Sequence, residues 1–527
     1  MKTLPASVSA PRRLVEQFVS LRAFRAQPQA QGEPQNNRQR RRRLHVAALA
    51  AAAEAAAAPD QAAGGVASLL AGAVPLAPPA SLPEVQLLEQ LPPYSEWHRH
   101  PELLQGCEPQ AAPLNVAVLL SGGVDSSLAL HLLKAAGHNV TAFYLQIWFQ
   151  EDFRNFWDAC PWEEDLEYCR AVCDRLGVDL QVVPLTEQYW ERVVAHCIGE
   201  IRQGRTPNPD MLCNSRVKFG AFYEYLEAQH GAAFDRVASG HYARLERKAA
   251  AAAAAGQPAA GQQAAAEPAA AAGSAAAAAA AGATAAAGAA GGDEGQLQQQ
   301  QEEEEVRLAL TPDAVKDQTY FLAHLSQRQL ARTLFPLGHL TKPQVRALAA
   351  AADLPNKGRK DSQGICFLGK VRFSEFIREH LGEWPGPIIE EESDEVLGYH
   401  RGFWFHTVGQ RKGVPLSGGP WYVTRKDPST NAVYVSRQYH EGNKQRNSFS
   451  CGPFSWCGGA RPDPARPLFC KVRHGPHMYA CSLELDSSRA SGYVTLDGND
   501  QGLAAGQYAV FYQEGCCLGS AVIAGSD

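Results

Sequence analysis

Asn115 to Leu120 reads NVAVLL, passes at once into SGGVDSS, and continues as LALHLLKAAG. An apolar run of that length ending in a glycine turn suits a strand buried on both faces. Leu128, Leu132 and Leu133, with Ala129 and Ala136, recur at helical spacing, and Gly137 stands where a left-handed cap closes a helix. A strand that turns directly into a helix commits this part of the chain to an α/β arrangement. The pattern then repeats: strand at Val140 to Trp148, helix at Glu163 to Leu176 closed by Gly177, strand at Val178 to Val183, helix at Glu187 to Arg202, helix near Asn214 to Gln229, strand at Phe234 to Ser239. This alternation predicts an open, Rossmann-like parallel sheet with helices on both faces.

Downstream the texture changes twice. Lys248 to Gln301 is almost wholly Ala, Gly and Gln, without an aromatic residue or a periodic apolar face, so it reads as a disordered insertion (248–305, ending in Glu302 to Glu305) between the two parts of one catalytic domain, 113–247 and 306–315. Loop-closure entropy grows slowly with length, so such an insertion is tolerated. Residues 316–395 read as a small, mainly helical central domain, in which Thr341 and Pro343 open a helix. From Val396 to the last residue, short alternating segments such as WYVTRK, NAVYVS and QYAVFY predict a C-terminal β-barrel.

The first part of the leader, residues 1–112, is rich in Arg, including Arg40 to Arg43, and poor in acids, the bias of an organelle transit peptide; a disordered basic tail that binds nucleic acid is the alternative. A plastid or a mitochondrion is the expected destination, the plastid first. No apolar run is long enough to predict a membrane span. The net charge of -6 neither supports nor excludes an RNA partner. Thirteen scattered cysteines in a long chain without a secretory signal predict reduced thiols, and the absence of a C-x-x-C pair leaves zinc or iron-sulfur ligation weakly supported.

Three clusters carry chemistry. In Ser121-Gly122-Gly123-Val124-Asp125-Ser126-Ser127 the glycines admit a phosphate to the backbone, the serines add hydroxyl donors, and the helix that follows presents unpaired N–H groups to an anion. Asp125 suits Mg²⁺ or the orientation of phosphates. The loop is no Walker A sequence, because the Gly-Lys-Ser/Thr ending is missing. The second cluster is GRTPNPDMLCNSRVK, Gly204 to Lys218: its prolines predict a rigid loop, Cys213 lies just before a predicted helix with Arg216 and Lys218 close by, and Asp210 is placed to act as an acid or base. The third is KGRKDSQGICFL, where Cys366 follows Lys357, Arg359 and Lys360, a setting that favours a thiolate able to hold a persulfide. Each cysteine taken alone can equally be a packed small residue.

The loop has the S-G-G-x-D-S pattern of the N-type ATP pyrophosphatases, and the three clusters in this order resemble the MnmA/TrmU family of tRNA-uridine 2-sulfurtransferases. Further matches are SGHYAR from Ser239, KDQTYFL from Lys316, PLGHLTKPQVR from Pro336, HTVGQRKG from His406, PWYV from Pro420 and GQYAVFY from Gly506. The resemblance runs from about Asn115 to the C-terminus, apart from the Ala/Gln tract. It implies an ATP pyrophosphatase domain that binds ATP through Leu119, Leu120, Ser121, Gly122, Gly123, Val124, Asp125 and Ser126, with Leu145 and Gly240. It implies that Asn208, Pro209 and Asp210 meet the target base, that Cys213 is the nucleophile and that Cys366 carries the persulfide. Contacts with tRNA fall to His241, Lys316, Asp317, Gln318, Arg473, His474 and Gln507.

The implied reaction is 2-thiolation of the wobble uridine of tRNAs, those for Lys, Glu and Gln, with ATP and Mg²⁺ and with sulfur from a cysteine desulfurase or relay protein. Adenylation of O2 precedes sulfur transfer, and a Cys213-Cys366 disulfide is left behind. An ATP pyrophosphatase that makes an amide or guanidino bond is the competing class, and it does not require the cysteine pair. A non-catalytic RNA-binding relative would be expected to lack Asp125 or one cysteine.

Overall fold

A computed structural model of the protein describes residues 73–75, 91–108, 112–147, 161–247, 305–361, 373–439, 446–459, 461–500 and 502–526. Cys366, the basic leader as far as residue 72, most of the Ala/Gln tract and Phe149 to Cys160 lie outside the described residues.

The alternating region forms a five-stranded sheet. Strand β1 is Asn115–Leu119, β2 Asn139–Gln146, β3 Leu180–Pro184, β4 Arg236–Ser239 and β5 Thr333–Leu334. The order is β3-β2-β1-β4-β5, and every neighbouring pair is parallel. Along β1, Val116 and Val118 enter one apolar cluster while Ala117 and Leu119 enter another, so both faces are covered, as the unbroken apolar run requires. Helix α1, Val124–Ala135, leaves the turn after β1 and ends before Gly137, whose φ of 88° is the left-handed stop.

Three expectations are corrected. The leader does not stay outside the fold as far as residue 112. Short 3-10 turns between Tyr94 and Cys107 insert Trp97, Leu103, Leu104 and Cys107 into the core beneath α1. Burying the large apolar side chains contributes about 1.5–3 kcal/mol each. Ala73–Pro75 pairs with the strand His477–Leu485. A small domain does follow the parallel sheet, but not over 316–395: Thr333–Leu334 is the edge strand of the parallel sheet, and Gly386–Glu390 joins Val396–His400, Tyr422–Asp427 and Ala432–Ser436 in a four-stranded sheet. Finally, Val306–Ala309 leaves the catalytic domain and pairs with the last strand of the chain.

That last strand belongs to the predicted C-terminal barrel. Ser448–Trp456, Gly492–Leu496, His477–Leu485, Leu468–Lys471, Tyr508–Gln513 and Cys516–Ser526 follow one another, and the last pairs back onto the first, so the sheet closes. The hairpin partners Arg244–Arg247 and Val306–Ala309 extend it, with Arg247 opposite Val306 at the two ends of the long insertion.

Candidate active site

Strand order reverses between β1 and β4, the place where an open parallel sheet leaves a crevice at the carboxyl ends of its strands. The turn Ser121 to Gly123 lies there. Ser126 Oγ accepts from Ser121 N at 3.1 Å and donates to Gly123 O at 3.1 Å, and Ser127 Oγ also donates to Gly123 O, at 3.0 Å. These bonds curl the loop over the start of α1, whose first-turn N–H groups have no intrahelical acceptor. Gly122, at φ 72°, has no room for a side chain, since a Cβ would lie 2.5 Å from Asp165 O. Gly240, just past β4, is pressed onto the loop, and a Cβ there would sit 2.7 Å from Ser126 N. The expected loop residues and Gly240 are thus brought together, with Leu145 half-buried at the end of β2.

Residues from far downstream brace this loop. Asn356 is buried and donates from Nδ2 to Gly122 O at 2.7 Å and to Ser127 Oγ at 2.9 Å. Arg359 donates to Gly122 O at 3.1 Å and pairs with Asp165. Asp125 Oδ1 accepts from Tyr242 Oη at 3.0 Å and from Lys342 Nζ at 2.6 Å. Burial, reinforced by the Asp125 charge, pushes the Tyr242 hydroxyl far above its ordinary range, so it stays a donor. Lys342 also meets Asp361 Oδ1 at 3.0 Å, and Asp361 further pairs with Lys316 at 2.7 Å and with Arg346. Burial works to raise the Asp361 carboxyl, but the Lys316 and Lys342 ammoniums outweigh it and hold the group well below the usual carboxylate range. Sequence reasoning gave Tyr242, Lys342, Asn356 and Asp361 no role. Lys342 lies inside a quoted motif, PLGHLTKPQVR, and that motif was the available signal.

Cys213 sits differently from the expectation. It does not precede a helix: the helix begins at Pro209, with Asn208 Oδ1 accepting from Met211 N at 3.3 Å, and runs on through a wide turn at Asn214–Ala221 to His230. Asn is a favoured cap and Pro a favoured first residue, so the local sequence starts the helix there. Asp210 falls in the first turn and Cys213, a residue 1% exposed, at the end of that short α segment. The helix N-terminal field therefore acts on Asp210 more than on Cys213. Of the neighbouring cations, Lys218 Nζ donates to Asn214 Oδ1 at 3.0 Å and Arg216 to Arg192 O at 2.9 Å.

The loop leading into this helix is held by the barrel. Thr206 N donates to Ala505 O at 2.7 Å, Gln507 Nε2 donates to Thr206 O at 3.0 Å, and Gly506 packs against Arg205 and Thr206 where a Cβ would not fit. Gln507, expected at the RNA, is engaged on the protein backbone. His241 accepts or donates with Ser239 Oγ at 2.8 Å and faces Phe219 and Phe335; burial, with Lys218 adding to it, holds the imidazole well below its ordinary pKa and therefore neutral.

The three-residue run from Lys316 is divided. Lys316 faces Asp361 at the ATP loop, Gln318 Oε1 accepts from Tyr242 N at 2.9 Å, and Asp317 is buried, accepting from Thr311 N at 2.9 Å and Thr319 N at 3.1 Å. The Asp317 carboxylate thus faces the interior of the fold. Arg473 pairs with the buried Asp500 at 2.8 Å, while His474 stacks on Phe321 and bonds Asp317 O at 3.1 Å. Arg359, expected beside Cys366, is engaged at the ATP loop, and Lys357 pairs with Asp353.

Among the described residues no group of three or more His, Cys, Asp or Glu is arranged to hold a metal ion. Asp125 is a single hard carboxylate donor beside the Ser121 to Gly123 turn. That set fits Mg²⁺ carried in on nucleotide phosphates, which characteristically takes one or two carboxylates, and does not make an all-protein cage. No helix among the described residues is long and apolar enough to cross a membrane.

Comparison with known proteins gives the same domain succession. Residues 114–263 and 278–370 match the model described as the tRNA methyl transferase HUP domain, 374–437 the tRNA methyl transferase PRC-barrel domain, and 446–523 the aminomethyltransferase beta-barrel domain. The second match begins before 386, consistent with the four-stranded sheet that crosses residue 396. The tRNA-specific 2-thiouridylase MnmA of Porphyromonas gingivalis is 38% identical over 420 residues, covering 78% of this chain and 99% of the relative. That of Parabacteroides distasonis is 37% identical over 421 residues, with 78% and 99% covered, and MnmA 1 of Bacteroides thetaiotaomicron is 37% identical over 419 residues, with the same shares. With near-complete coverage of these relatives and a phosphate loop braced at the switch point of a parallel sheet, the chain belongs to the family of MnmA tRNA-specific 2-thiouridylases.

Proposed function

We propose that this protein converts a wobble uridine of tRNA to 2-thiouridine, using ATP and a cysteine-borne sulfur. The observation that carries the reading is the convergence at the ends of β1 and β4. Gly240 touches the loop at Asp125 and Ser126, and the next residue, His241, packs on Phe219 of the helix that bears Asp210 and Cys213. The glycine loop and the helix that bears Cys213 are therefore linked through the adjacent residues Gly240 and His241.

In the proposed sequence, uridine O2 attacks the α-phosphorus of ATP bound at Ser121 to Ser126, an O–P bond forms, and pyrophosphate leaves with the electrons of the α–β bridge. A Cys366 persulfide then attacks C2 through its terminal sulfur, directly or as sulfide released by Cys213. The C–S bond forms and AMP departs with O2; in either route the Cys213 thiolate attacks Cys366 Sγ, the persulfide S–S bond breaks with its electrons on the transferred sulfur, and the Cys213-Cys366 disulfide so formed is reduced by an external thiol. Asp210 moves the proton at the base. Mg²⁺ held by Asp125 and the phosphates supplies charge neutralisation when bound. The uridine must leave the anticodon stack, which a single-stranded loop permits. The sulfur source is a cysteine desulfurase or relay protein, the substrates are the tRNAs for Lys, Glu and Gln, and the basic leader directs the protein to an organelle, the plastid first.

The test uses ATP labelled on the α-phosphate with unmodified tRNA. Cys366→Ser and Cys213→Ser should both abolish 2-thiouridine, Cys366→Ser should accumulate label on tRNA, and Asp125→Ala should accumulate none. Full turnover by either cysteine variant with a persulfide donor would overturn the two-thiol mechanism.

A further inference from the structure

On the four-stranded sheet, Arg425 lies 3.8 Å from Glu391 and Arg437 lies 4.0 Å from Glu390. Lys426, Arg411 and Lys412, on the same sheet and the loop that borders it, have no ion pair among the described residues. Three cations without a carboxylate, in a chain whose net charge is -6, form a local excess of positive charge. We propose that His406, Thr424 and Lys426, with Arg411 and Lys412 at the rim, bind a backbone phosphate of the tRNA. The inference rests on the tRNA reading above and adds to it a contact on a different sheet from the glycine loop.

The motif HTVGQRKG, from His406, runs back along the strand Tyr422–Asp427: Gly409 N donates to Val423 O at 2.8 Å, and Val423 N donates to Gln410 O at 3.0 Å. Gln410 closes the loop on itself, its Oε1 accepting from Thr407 N at 2.9 Å and its Nε2 donating to Lys412 O at 2.8 Å. Arg411 and Lys412, which follow, are exposed. The register of this strand against Ala432–Ser436 shifts between Val423 and Arg425, so Thr424 stands in a bulge, a device that re-aims a side chain. Past the bulge, Lys426 is opposite the fully buried Val433 and is half-buried itself.

Two buried polar atoms here have no partner: His406 Nδ1 and Thr424 Oγ1, on residues each 5% exposed. Such atoms are costly to leave unpaired, and a ligand oxygen would satisfy them. The neighbouring His400 ring, 5.5 Å away, is already engaged, Nδ1 accepting from Gly402 N and Nε2 bonding Asn431 O, and takes no part. Burial, with His400 and Lys426 adding to it, holds His406 down to about 4, so the ring is neutral and offers one N–H. Burial lowers the Lys426 ammonium to about 8 with no carboxylate opposing it, which leaves a cation at neutral pH that lacks a counter-ion. An ammonium, a hydroxyl, an imidazole N–H and a guanidinium fork are all donors. A phosphodiester, with two unesterified oxygens and no proton to give, matches a set made only of donors. RNA presents these groups in series, as the further cations at the rim require.

A phosphate contact has a signature that packing lacks, the dependence of affinity on salt. Binding of unmodified tRNA is measured across a range of salt concentrations on the full-length wild type, Lys426→Met, His406→Phe and the double variant Arg411→Gln/Lys412→Gln. The double variant changes exposed residues alone and decides the matter if a buried variant does not fold; thermal melting and ATP binding check the fold. Lys426→Met should weaken tRNA about threefold to tenfold and lower the slope of log Kd against log salt by about 1. His406→Phe should weaken binding with little change of slope, because the ring is neutral, and the double variant should lower the slope by about 1 to 2. Inorganic phosphate is titrated in parallel, and a Lys426→Met variant that loses phosphate but keeps wild-type tRNA binding would assign the site to a free anion and overturn the tRNA contact. Unchanged tRNA affinity in both Lys426→Met and the double variant, or weakening in both with the slope unchanged, overturns it as well. Wild type that binds no tRNA would sink the tRNA reading instead, so the two failures are distinguishable.

Discussion

Asn356 provides a sharp test of how the loop is held. Its carboxamide Nδ2 donates to Gly122 O at 2.7 Å and Ser127 Oγ at 2.9 Å, and the residue is 1% exposed. Because Gly122 O is an acceptor only, nitrogen must face it. Asn356→Ala removes both bonds at about 1 kcal/mol each. Gly122 O keeps Arg359 at 3.1 Å, and Ser127 Oγ keeps Gly123 O at 3.0 Å, so neither is orphaned and the total stays near 2 kcal/mol. Asn356→Asp preserves size yet points a carboxylate at a carbonyl oxygen in a buried place, which costs roughly 3–5 kcal/mol while the group is ionised. Burial raises the pKa of such a carboxyl, so below that pKa it takes a proton, regains a donor and recovers stability. The expected order at pH 8 is therefore wild type, Ala, Asp. Near pH 5.5 the Asp variant should approach or pass Ala. Urea midpoints at both pH values, with the Michaelis constant for ATP at pH 8, check this. An Asp variant more stable than Ala at pH 8, or a gap that does not close on acidification, would refute the account of the loop.

Two further outcomes follow from other parts of the fold. His131, on α1 against the 3-10 segment, is held down to about 4 by burial, with the Arg175 charge adding to the effect and its bond to Ser127 O opposing it. The unfolded imidazole binds a proton near 6.5, so between about 4 and 6.5 the unfolded state holds more protons and stability falls as pH falls, by at most about 3 kcal/mol from this group. A His131→Gln variant should flatten the melting temperature against pH in that window, and an unchanged slope would contradict it. The long insertion leaves and re-enters the sheet at Arg247 and Val306, which are directly opposite in an antiparallel pair. Replacing residues 249–303 by a short glycine-containing turn should leave the melting temperature within about 2 °C and ATP binding unchanged; a large drop would show that the tract contributes to the fold.

What could be read from the sequence was what lies together along the chain. The strand, turn and helix from Asn115 to Ala135 announce a phosphate site because every part of it is local: the apolar run, the glycines and the helix start are adjacent residues. The helix carrying Cys213 was also local, but Pro207 and Pro209 read as a rigid loop, and the favoured place of Pro at a first helical position, after an Asn cap, puts the start at 209. The turns between Tyr94 and Cys107 are too short to show any period, so Trp97 gave no sign of lying beneath α1. Other features depend on pairing, which no pattern of one segment contains. Ile388 is parallel to Val433, which ties the segment at 386 to the sheet beyond 396, and Gln507 reaches back to Thr206. The ATP loop combines both kinds of information. Its backbone cradle is written in consecutive residues, whereas the groups that hold its shape and charge, Asn356 on Gly122 and Lys342 on Asp125, come from more than two hundred residues away. A cradle made only of small residues, with no cation of its own, requires such partners on physical grounds, and the requirement is legible even where their identity is not.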